Sequence, residues 1–340
     1  MDQNRVTTIA LMLAEYIVLI NWALQSGIKD RVYQHILKGS VMKTTIINKC
    51  IQEAVQKVKG KAKNKLQEPD YTAALAVEFP KLVNNQNIRG ISVGGCFIHQ
   101  SPYVNFDKDH KPCRCELGDL LVFVRRRKEN LHHYNAALLQ IKKTNHLPCK
   151  LSGRGDLTQL YLYESWPIFT SVQMGKYDIV PKTPHQGALY CVINTNSGGN
   201  ELILISAPSK ELPFFSQMTL AEFINNMMSW TCGRTISSWK KSNQDEWSKL
   251  IWDLLNHSAK HYFNRQNLSY QDTPRATLWK NAMGINVVDV FLQQMAITPF
   301  DDRSSNDFNG NNGINDSTSI STLFIDIDEE GFEKEEQDRI

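Results

Sequence analysis

Short apolar runs bounded by polar residues predict two buried strands in the middle of the chain. Residues 120–124 are Leu-Leu-Val-Phe-Val, and residues 136–141 are Ala-Ala-Leu-Leu-Gln-Ile. A polar connection of 11 residues separates the two runs, so they are expected to pair as an antiparallel hairpin. Because side chains alternate along a strand, Gln140 and Lys142 share one face while Ile141 lies on the other.

Helices and a bent strand are predicted ahead of this pair. Asp70 precedes an apolar run and is a suitable N-cap for a helix over residues 71–79, which Pro80 ends or kinks. Residues 88–106 alternate glycines with apolar residues and predict a first core strand or hairpin, bent near Ser101-Pro102. Apolar residues at helical spacing also predict two earlier helices, over residues 29–37 and 44–58.

The rest of the chain changes from mixed to helical patterning. Residues 156–169 predict a helix that crosses between strands, and residues 188–193 and 201–206 predict a hairpin with a long polar loop. A capping-box sequence opens a helix over residues 219–230, and residues 245–263 carry the apolar stripe of another.

An acid, an amide and a lysine fall together on the two central strands. Asp119 directly precedes the first run, and antiparallel pairing would bring it beside Gln140 and Lys142. The acid and the amide offer oxygen ligands for a metal ion, and the lysine puts a cation one step away. Metal-assisted hydrolysis of a phosphodiester needs this combination.

This pattern resembles the PD-(D/E)XK nuclease superfamily over roughly residues 40–207. The resemblance implies an α/β fold with a restriction-endonuclease-like core, a mixed sheet flanked by helices, here with helical N-terminal and C-terminal additions. It also implies hydrolysis of nucleic acid that depends on Mg²⁺ or Mn²⁺, with DNA favoured over RNA. Roles in nucleic-acid defence or processing are implied by analogy alone.

The resemblance assigns a role to each candidate site residue. Asp119, Gln140 and Glu78, the last on the predicted first core helix, would hold the metal, and Lys142 would orient the attacking water. Gln140 stands where the family usually has Asp or Glu, although an amide oxygen can still coordinate a hard cation. Glu116, three residues before Asp119, is an alternative outer ligand.

Charge is distributed unevenly along the chain. Residues 1–160 contain 24 Lys/Arg and 13 Asp/Glu, whereas residues 300–340 contain 3 and 12. The basic half holds the candidate site, as expected if a polyanion approaches it. The alternative is that the basic runs are a solvated linker and a solvated strand end. The residues expected to contact phosphates are Arg125, Arg126, Arg127, Lys128, Lys143, Lys61, Lys63 and Lys65.

These observations predict four segments. Residues 1–66 form a helical N-terminal extension with a basic linker, and residues 67–210 form the nuclease-like core. Residues 211–299 form a helical C-terminal elaboration. Residues 300–340 form an acidic disordered tail, in which residues 321–327 have the apolar content to dock as a short strand.

The N-terminal segment bears on localisation. Residues 6–24 are strongly apolar and nearly long enough to span a bilayer, but Glu15 and Asn21 interrupt them. A packed helix that forms a homo-oligomer in a cytoplasmic protein is therefore favoured over a membrane anchor. Seven irregularly spaced cysteines indicate thiols in a reducing compartment rather than a disulfide framework.

Two other functional classes remain open at the level of the sequence. A nuclease-fold protein that has lost catalysis and binds nucleic acid or protein as a scaffold is favoured by the neutral Gln140. A structural zinc site is disfavoured because its ligands would be irregularly spaced. The zinc candidates are Cys96, His99, His110, Cys113 and Cys115.

Overall fold

The structure is a computed structural model. Internal contacts divide the chain into two units, residues 1–45 and residues 46–340. In the first unit the structure describes the helical backbone from Asp30 onward, and the second unit contains all the strands described. The residues described are 30–62, 65–98, 102–128, 131–171, 174–182, 187–197, 200–213, 218–237, 244–266 and 320–328.

Six α-helices and one π-helical segment lie in the described part of the chain. They are α1 (Asp30–Lys61), α2 (Glu68–Ala73), the π-helical segment (Ala74–Glu78), α3 (Phe79–Asn84), α4 (Arg154–Ser165), α5 (Leu220–Met228) and α6 (Glu246–Gln266). The two helices predicted over residues 29–37 and 44–58 are a single helix, α1. The crossover helix and the helices opened at residues 219 and 245 are confirmed as α4, α5 and α6.

The strands form one large mixed sheet and two smaller sheets. The strands are β1 (Ile91–Cys96), β2 (Tyr103–Lys108), β3 (Lys111–Glu116), β4 (Leu120–Lys128), β5 (Leu131–Thr144), β6 (Cys149–Lys150), β7 (Phe169–Ser171), β8 (Gly175–Tyr177), β9 (Ala188–Asn194), β10 (Leu202–Ser206), β11 (Glu211–Leu212), β12 (Met218–Thr219), β13 (Arg234–Ile236) and β14 (Ser321–Asp328). The large sheet has the order β1-β14-β4-β5-β9-β10-β12, with β13 also paired to β5. A four-stranded sheet has the order β3-β2-β7-β8, and β6 pairs with β11.

The large sheet is buried on both faces, which explains the unbroken apolar runs in its central strands. Leu120, Val122 and Val124 of β4 enter a core that includes side chains of α1, α3 and α5. Leu121 and Phe123 point the other way, into a core shared with α4, α6 and the four-stranded sheet. The predicted α/β class, with a mixed sheet flanked by helices, is therefore confirmed.

The helix over residues 68–84 continues through a proline that the sequence predicted would end or kink it. The N–H of Phe79 donates to the Ala74 carbonyl five residues back, so the helix widens by one residue just before Pro80. β1 packs closely against this widened segment. A Cβ atom at Gly95 would lie 2.0 Å from the Ala76 carbonyl oxygen, so only glycine fits there.

Of the two alternatives predicted for residues 88–106, the structure has a first core strand, β1, and not a hairpin, because β1 belongs to the large sheet and β2 to the four-stranded sheet. The four segments with boundaries after residues 66, 210 and 299 stay predictions. Side chains of α1 and α5 are part of the same core as the central strands.

The strand predicted within the acidic tail is present as β14. It was predicted to dock as a short strand, and in the structure it lies between β1 and β4 in the interior of the large sheet. It runs antiparallel to β1 and parallel to β4. The other residues of the predicted tail, apart from Ile320, lie outside the described part of the chain.

Candidate active site

Asp119 is held at the start of β4 by two hydrogen bonds to β5. Its backbone N–H donates to the Leu139 carbonyl oxygen at 2.9 Å, and its Oδ2 accepts from the Ile141 N–H at 2.7 Å. Leu120 and Leu139 face each other in the ladder, so Asp119 lies opposite Gln140. The predicted juxtaposition of Asp119 with the Gln140–Lys142 segment of β5 is therefore present.

Lys142 makes an ion pair with the first turn of the crossover helix. Its Nζ lies 2.7 Å from Oδ1 of Asp156, and the two side chains are 16% and 32% exposed. Burial lowers the pKa of Lys142, but the Asp156 hydrogen bond and the charges of Glu68, Asp156 and Asp119 outweigh it and leave that pKa raised. Lys142 is therefore a protonated cation at neutral pH.

Gln140 is enclosed between β5 and α4. Its side chain is buried, and its Oε1 accepts a hydrogen bond from Nε2 of Gln159. The same Gln159 nitrogen also donates to the Glu116 carbonyl oxygen at 3.1 Å. The amide oxygen that was predicted to bind metal is thus engaged by Gln159, and in this arrangement Gln140 joins β5 to α4.

Two further carboxylates surround Asp119. Burial, followed by the charge of Glu116, raises the pKa of Asp119 to about 7, and Glu68 adds to this effect. The Ile141 N–H and Lys142 oppose the rise but do not cancel it. Burial likewise raises the pKa of Glu116, although a hydrogen bond from Tyr103 opposes it. The site therefore has more negative charge than its own cation neutralises.

Glu68 is positioned by the residue that follows Lys142. Its Oε1 accepts a hydrogen bond from the Lys143 N–H at 3.0 Å, which fixes the first turn of α2 against β5. The sequence missed this residue, because the helix was predicted to begin after Asp70. The N–H of Gln67 donates to Oδ2 of Asp70 at 2.7 Å, so Asp70 lies inside the first turn and α2 begins earlier, at Glu68.

Glu78, the acid that the resemblance assigned to the metal, makes other contacts. Its carboxylate is buried, with Oε1 3.4 Å from Nζ of Lys61 and 3.5 Å from Nζ of Lys81. Two lysines therefore compensate its charge. Among the acids of this helix, Glu68 and not Glu78 is the one that interacts with Asp119.

The arginine run after β4 was predicted to flank the site, and its position contradicts that prediction. Arg125 is six residues beyond Asp119, and six residues of strand span about 20 Å. Arg125 is buried with Nε 2.7 Å from Oδ1 of Asp326, and Arg127 lies 3.0 Å from the same carboxylate. Arg126 stacks over Trp230 at 5.7 Å. These arginines connect β4 to its neighbours at the opposite end of the strand, and Lys128 is exposed beyond them.

The lysines predicted to bind phosphate have different positions. Lys143 is beside the site, where its Nζ donates to the Leu66 carbonyl oxygen at 2.7 Å. Lys65 is exposed next to Leu66, on the same side. Lys61 pairs with Glu78 instead, and Lys63 lies outside the described residues. Lys143 and Lys65 are therefore the members of the predicted set that border the site.

The ligand types at the site suit a hard cation. Asp119, Glu116 and Glu68 supply carboxylate oxygens, which Mg²⁺ and Mn²⁺ prefer, and their mutual repulsion would be relieved by a cation. In the described part of the chain, no three His, Cys, Asp or Glu side chains are already arranged around one metal position. The zinc candidates Cys96, Cys113 and Cys115 are thiols, and His99 lies outside the described residues.

Residues 6–24, predicted as a packed helix or a membrane anchor, lie outside the described residues. No helix within the described residues has both the length and the apolarity needed to cross a membrane.

Comparisons of this chain with models of protein families, with curated proteins and with solved structures find no match.

Proposed function

We propose that this protein is a metal-dependent nuclease that hydrolyses phosphodiester bonds, with DNA favoured over RNA as its substrate. One observation carries the proposal. Asp119 and Lys142 come from adjacent antiparallel strands at the same end of a buried mixed sheet, next to a second acid, Glu68, from the first turn of a flanking helix. An acid-rich metal site with a cation beside it is what phosphodiester hydrolysis requires.

The order of elements supports the same proposal. A helix (α2–α3) precedes β1, and the antiparallel pair β4–β5 leads through the crossover helix α4 to β9, which is parallel to β5. A PD-(D/E)XK core would have this order, and the chain departs from it by the separate sheet of β2, β3, β7 and β8 and by one inserted strand. β14 is inserted between β1 and β4, and it keeps them antiparallel to each other because it is antiparallel to the first and parallel to the second.

Each site residue has a role in the proposed reaction. Asp119, Glu68 and Glu116 would hold the metal, which when bound would polarise the phosphate and lower the pKa of a bound water. The Ile141 N–H fixes one oxygen of Asp119 and so orients the carboxylate. Lys142, protonated and held by Asp156, offsets the negative charge that develops on the phosphate.

Gln140 keeps a supporting role in this proposal. Its amide is hydrogen-bonded to Gln159, which ties the crossover helix to the strand that carries Lys142. The charge that the family usually obtains from an acid at this position would come here from Glu116, the last residue of β3. This second carboxylate would compensate for the departure from the family pattern.

A cleavage assay tests the proposal. The purified full chain is incubated with Mg²⁺ or Mn²⁺ and with supercoiled plasmid, linear duplex DNA, single-stranded DNA or RNA. Asp119→Asn and Lys142→Ala are each expected to lower cleavage by about 100-fold or more, the scale seen when one electrostatic group is lost from a reaction centre. Glu53→Gln and Lys49→Ala are matched controls on an exposed ion pair of α1, and they should cleave normally.

Full cleavage by either site variant would refute the assignment. The second candidate, a nuclease-fold scaffold without catalysis, is favoured by the hydrogen bond between Gln140 and Gln159, which occupies the amide oxygen. That candidate predicts nucleic-acid binding with no cleavage in any metal. It also predicts that Mg²⁺ leaves the melting temperature unchanged, whereas the nuclease proposal predicts stabilisation, because binding to the folded state alone raises stability.

A further inference from the structure

The four-stranded sheet presents one polar face to solvent beside the candidate site. Side chains alternate along β2 and β3, so every second one points inward, as the buried side chains of Val104 and Cys115 do. Tyr103 and Arg114 point outward, as do Thr170 of β7 and Lys176 of β8. The outward face therefore carries the Tyr103 ring, two cations and the carboxylates of Asp107 and Glu116.

Tyr103 connects this face directly to the acids around Asp119. Tyr103 and Glu116 face each other in the β2–β3 ladder, and the Tyr103 hydroxyl donates to Oε1 of Glu116 at 3.3 Å. Glu116 is the last residue of β3 and precedes Asp119 by three residues in the chain. A polymer bound across Asp119 and Lys142 would therefore pass close to Tyr103.

The surroundings of Tyr103 suit a nucleotide. The Tyr103 side chain is 39% exposed. The Arg114 guanidinium lies over the Tyr103 ring, with the guanidinium carbon 4.6 Å from the ring centroid. Aromatic rings and guanidinium planes both stack on nucleobases, and guanidinium N–H groups bind phosphate. Both faces of a base are already covered inside a duplex, so a base that stacks here must be unpaired.

We propose that Tyr103 and Arg114 form a binding site for one unpaired nucleotide that adjoins the bond to be cleaved. The base stacks on the Tyr103–Arg114 layer, and Arg114 contacts the neighbouring phosphate. This inference rests on the proposed nuclease function and narrows its substrate to nucleic acid with an unpaired nucleotide, as in single strands, frayed ends or flaps.

Fluorescence of 2-aminopurine in a short single-stranded oligonucleotide tests the proposal. Binding is measured with the Lys142→Ala chain, so that cleavage does not interfere, and with DNA and RNA versions of the oligonucleotide. Stacking on Tyr103 should quench the probe. Tyr103→Leu should weaken binding by about tenfold and remove the quench, the scale of losing one stacked base. Arg114→Gln should also weaken binding, by about tenfold, but it leaves the Tyr103 ring in place and should keep the quench of the bound probe. Tyr103→Phe keeps the ring and should keep the quench.

Control variants and a duplex separate this site from general charge attraction. Leu131→Ala and Lys49→Gln alter exposed residues away from the four-stranded sheet and should bind normally. A blunt duplex of the same sequence should bind to the Tyr103→Leu chain as tightly as to the parent chain, because its bases are already paired and stacked. Equal single-strand affinity and equal quench in the parent and Tyr103→Leu chains, with melting temperatures unchanged, would overturn the proposal.

The two proposals fail in distinguishable ways. If wild-type protein cleaves DNA but Tyr103→Leu binds single strands normally, the nuclease function stands and the nucleotide site is refuted. If wild-type protein cleaves nothing but the quench depends on the Tyr103 ring, the nucleotide site stands and catalysis is refuted. Absence of any oligonucleotide binding by the parent chain refutes the nucleotide site, whatever the cleavage assay gives.

Discussion

Removing β14 should unfold the protein, although the segment that contains it has the composition of a disordered tail. β14 is hydrogen-bonded on both edges, to β1 and to β4, and seven of its eight residues are buried. A chain ending at residue 319 would lose a central strand and leave two strand edges open inside the core. This perturbation therefore tests the topology of the whole sheet.

The size of the effect follows from the side chains that β14 buries. Leu323, Phe324, Ile325 and Ile327 are at most 6% exposed, and burial of each large apolar side chain contributes about 1.5–3 kcal/mol. Together these four contribute about 6–12 kcal/mol, which equals or exceeds much of the total stability of about 5–15 kcal/mol expected for a domain. Loss of Asp326 would also leave Arg125 buried without its carboxylate, at a cost of about 3–5 kcal/mol.

Thermal unfolding followed by circular dichroism measures the effect. A chain of residues 1–319 should show no cooperative unfolding transition, whereas a chain of residues 1–328 keeps β14 and should melt close to the full-length protein. Leu323→Ala should lower the free energy of unfolding by about 2–5 kcal/mol, and Asp328→Asn at the strand end is the mild control. A cooperative transition at an unchanged temperature in residues 1–319 would refute the position of β14 between β1 and β4.

Two further predictions concern the site. In the presence of a chelator, Gln140→Glu should lower the free energy of unfolding by about 1–3 kcal/mol, because it adds a buried charge opposite Asp119. Addition of Mg²⁺ should recover part of this loss. An equal loss with and without Mg²⁺ would mean that residue 140 does not face the metal. The pKa of Asp119 rises from 3.8 to about 7 on folding, so the folded state binds the extra proton and metal-free stability should fall as pH rises from about 4 to about 7. Asp119→Asn should flatten this part of a plot of melting temperature against pH, and an unchanged slope in that variant would contradict the cause.

Local patterns predicted the parts of the fold that depend on neighbours in sequence. The apolar runs gave β4 and β5, and period-two alternation gave the shared face of Gln140 and Lys142. The capping box at Thr219 was also sufficient, because the Glu222 N–H donates to the Thr219 hydroxyl as the motif requires. These features involve residues within one element or one hairpin, where the spacing of side chains fixes the geometry.

Pairings between distant segments could not be predicted in the same way. Arg125 follows an apolar strand, and its position suggested a solvated strand end because its partner, Asp326, is 201 residues away. β14 has apolar residues, but nothing local indicates that it enters the middle of a sheet. Glu68 was missed for a smaller reason. The sequence has two signals that α2 begins before Asp70. Proline is common in the first turn of a helix, where Pro69 lies, and Asp70 is three residues after Gln67, which is the spacing of a capping box.

The two ends of β4 differ in charge balance, and this difference supports the choice of site. At the far end Asp326 is shared by two arginines, so its carboxylate is fully compensated within the protein. At the near end Lys142 pairs with Asp156, and burial, followed by the charges of Glu116 and Glu68, raises the pKa of Asp119 to about 7. Both the burial of this carboxylate and its repulsion by the other acids disfavour its charged form, and a bound cation would offset them. The near end of β4 is therefore the end at which we propose that a metal ion, and with it a phosphodiester, binds.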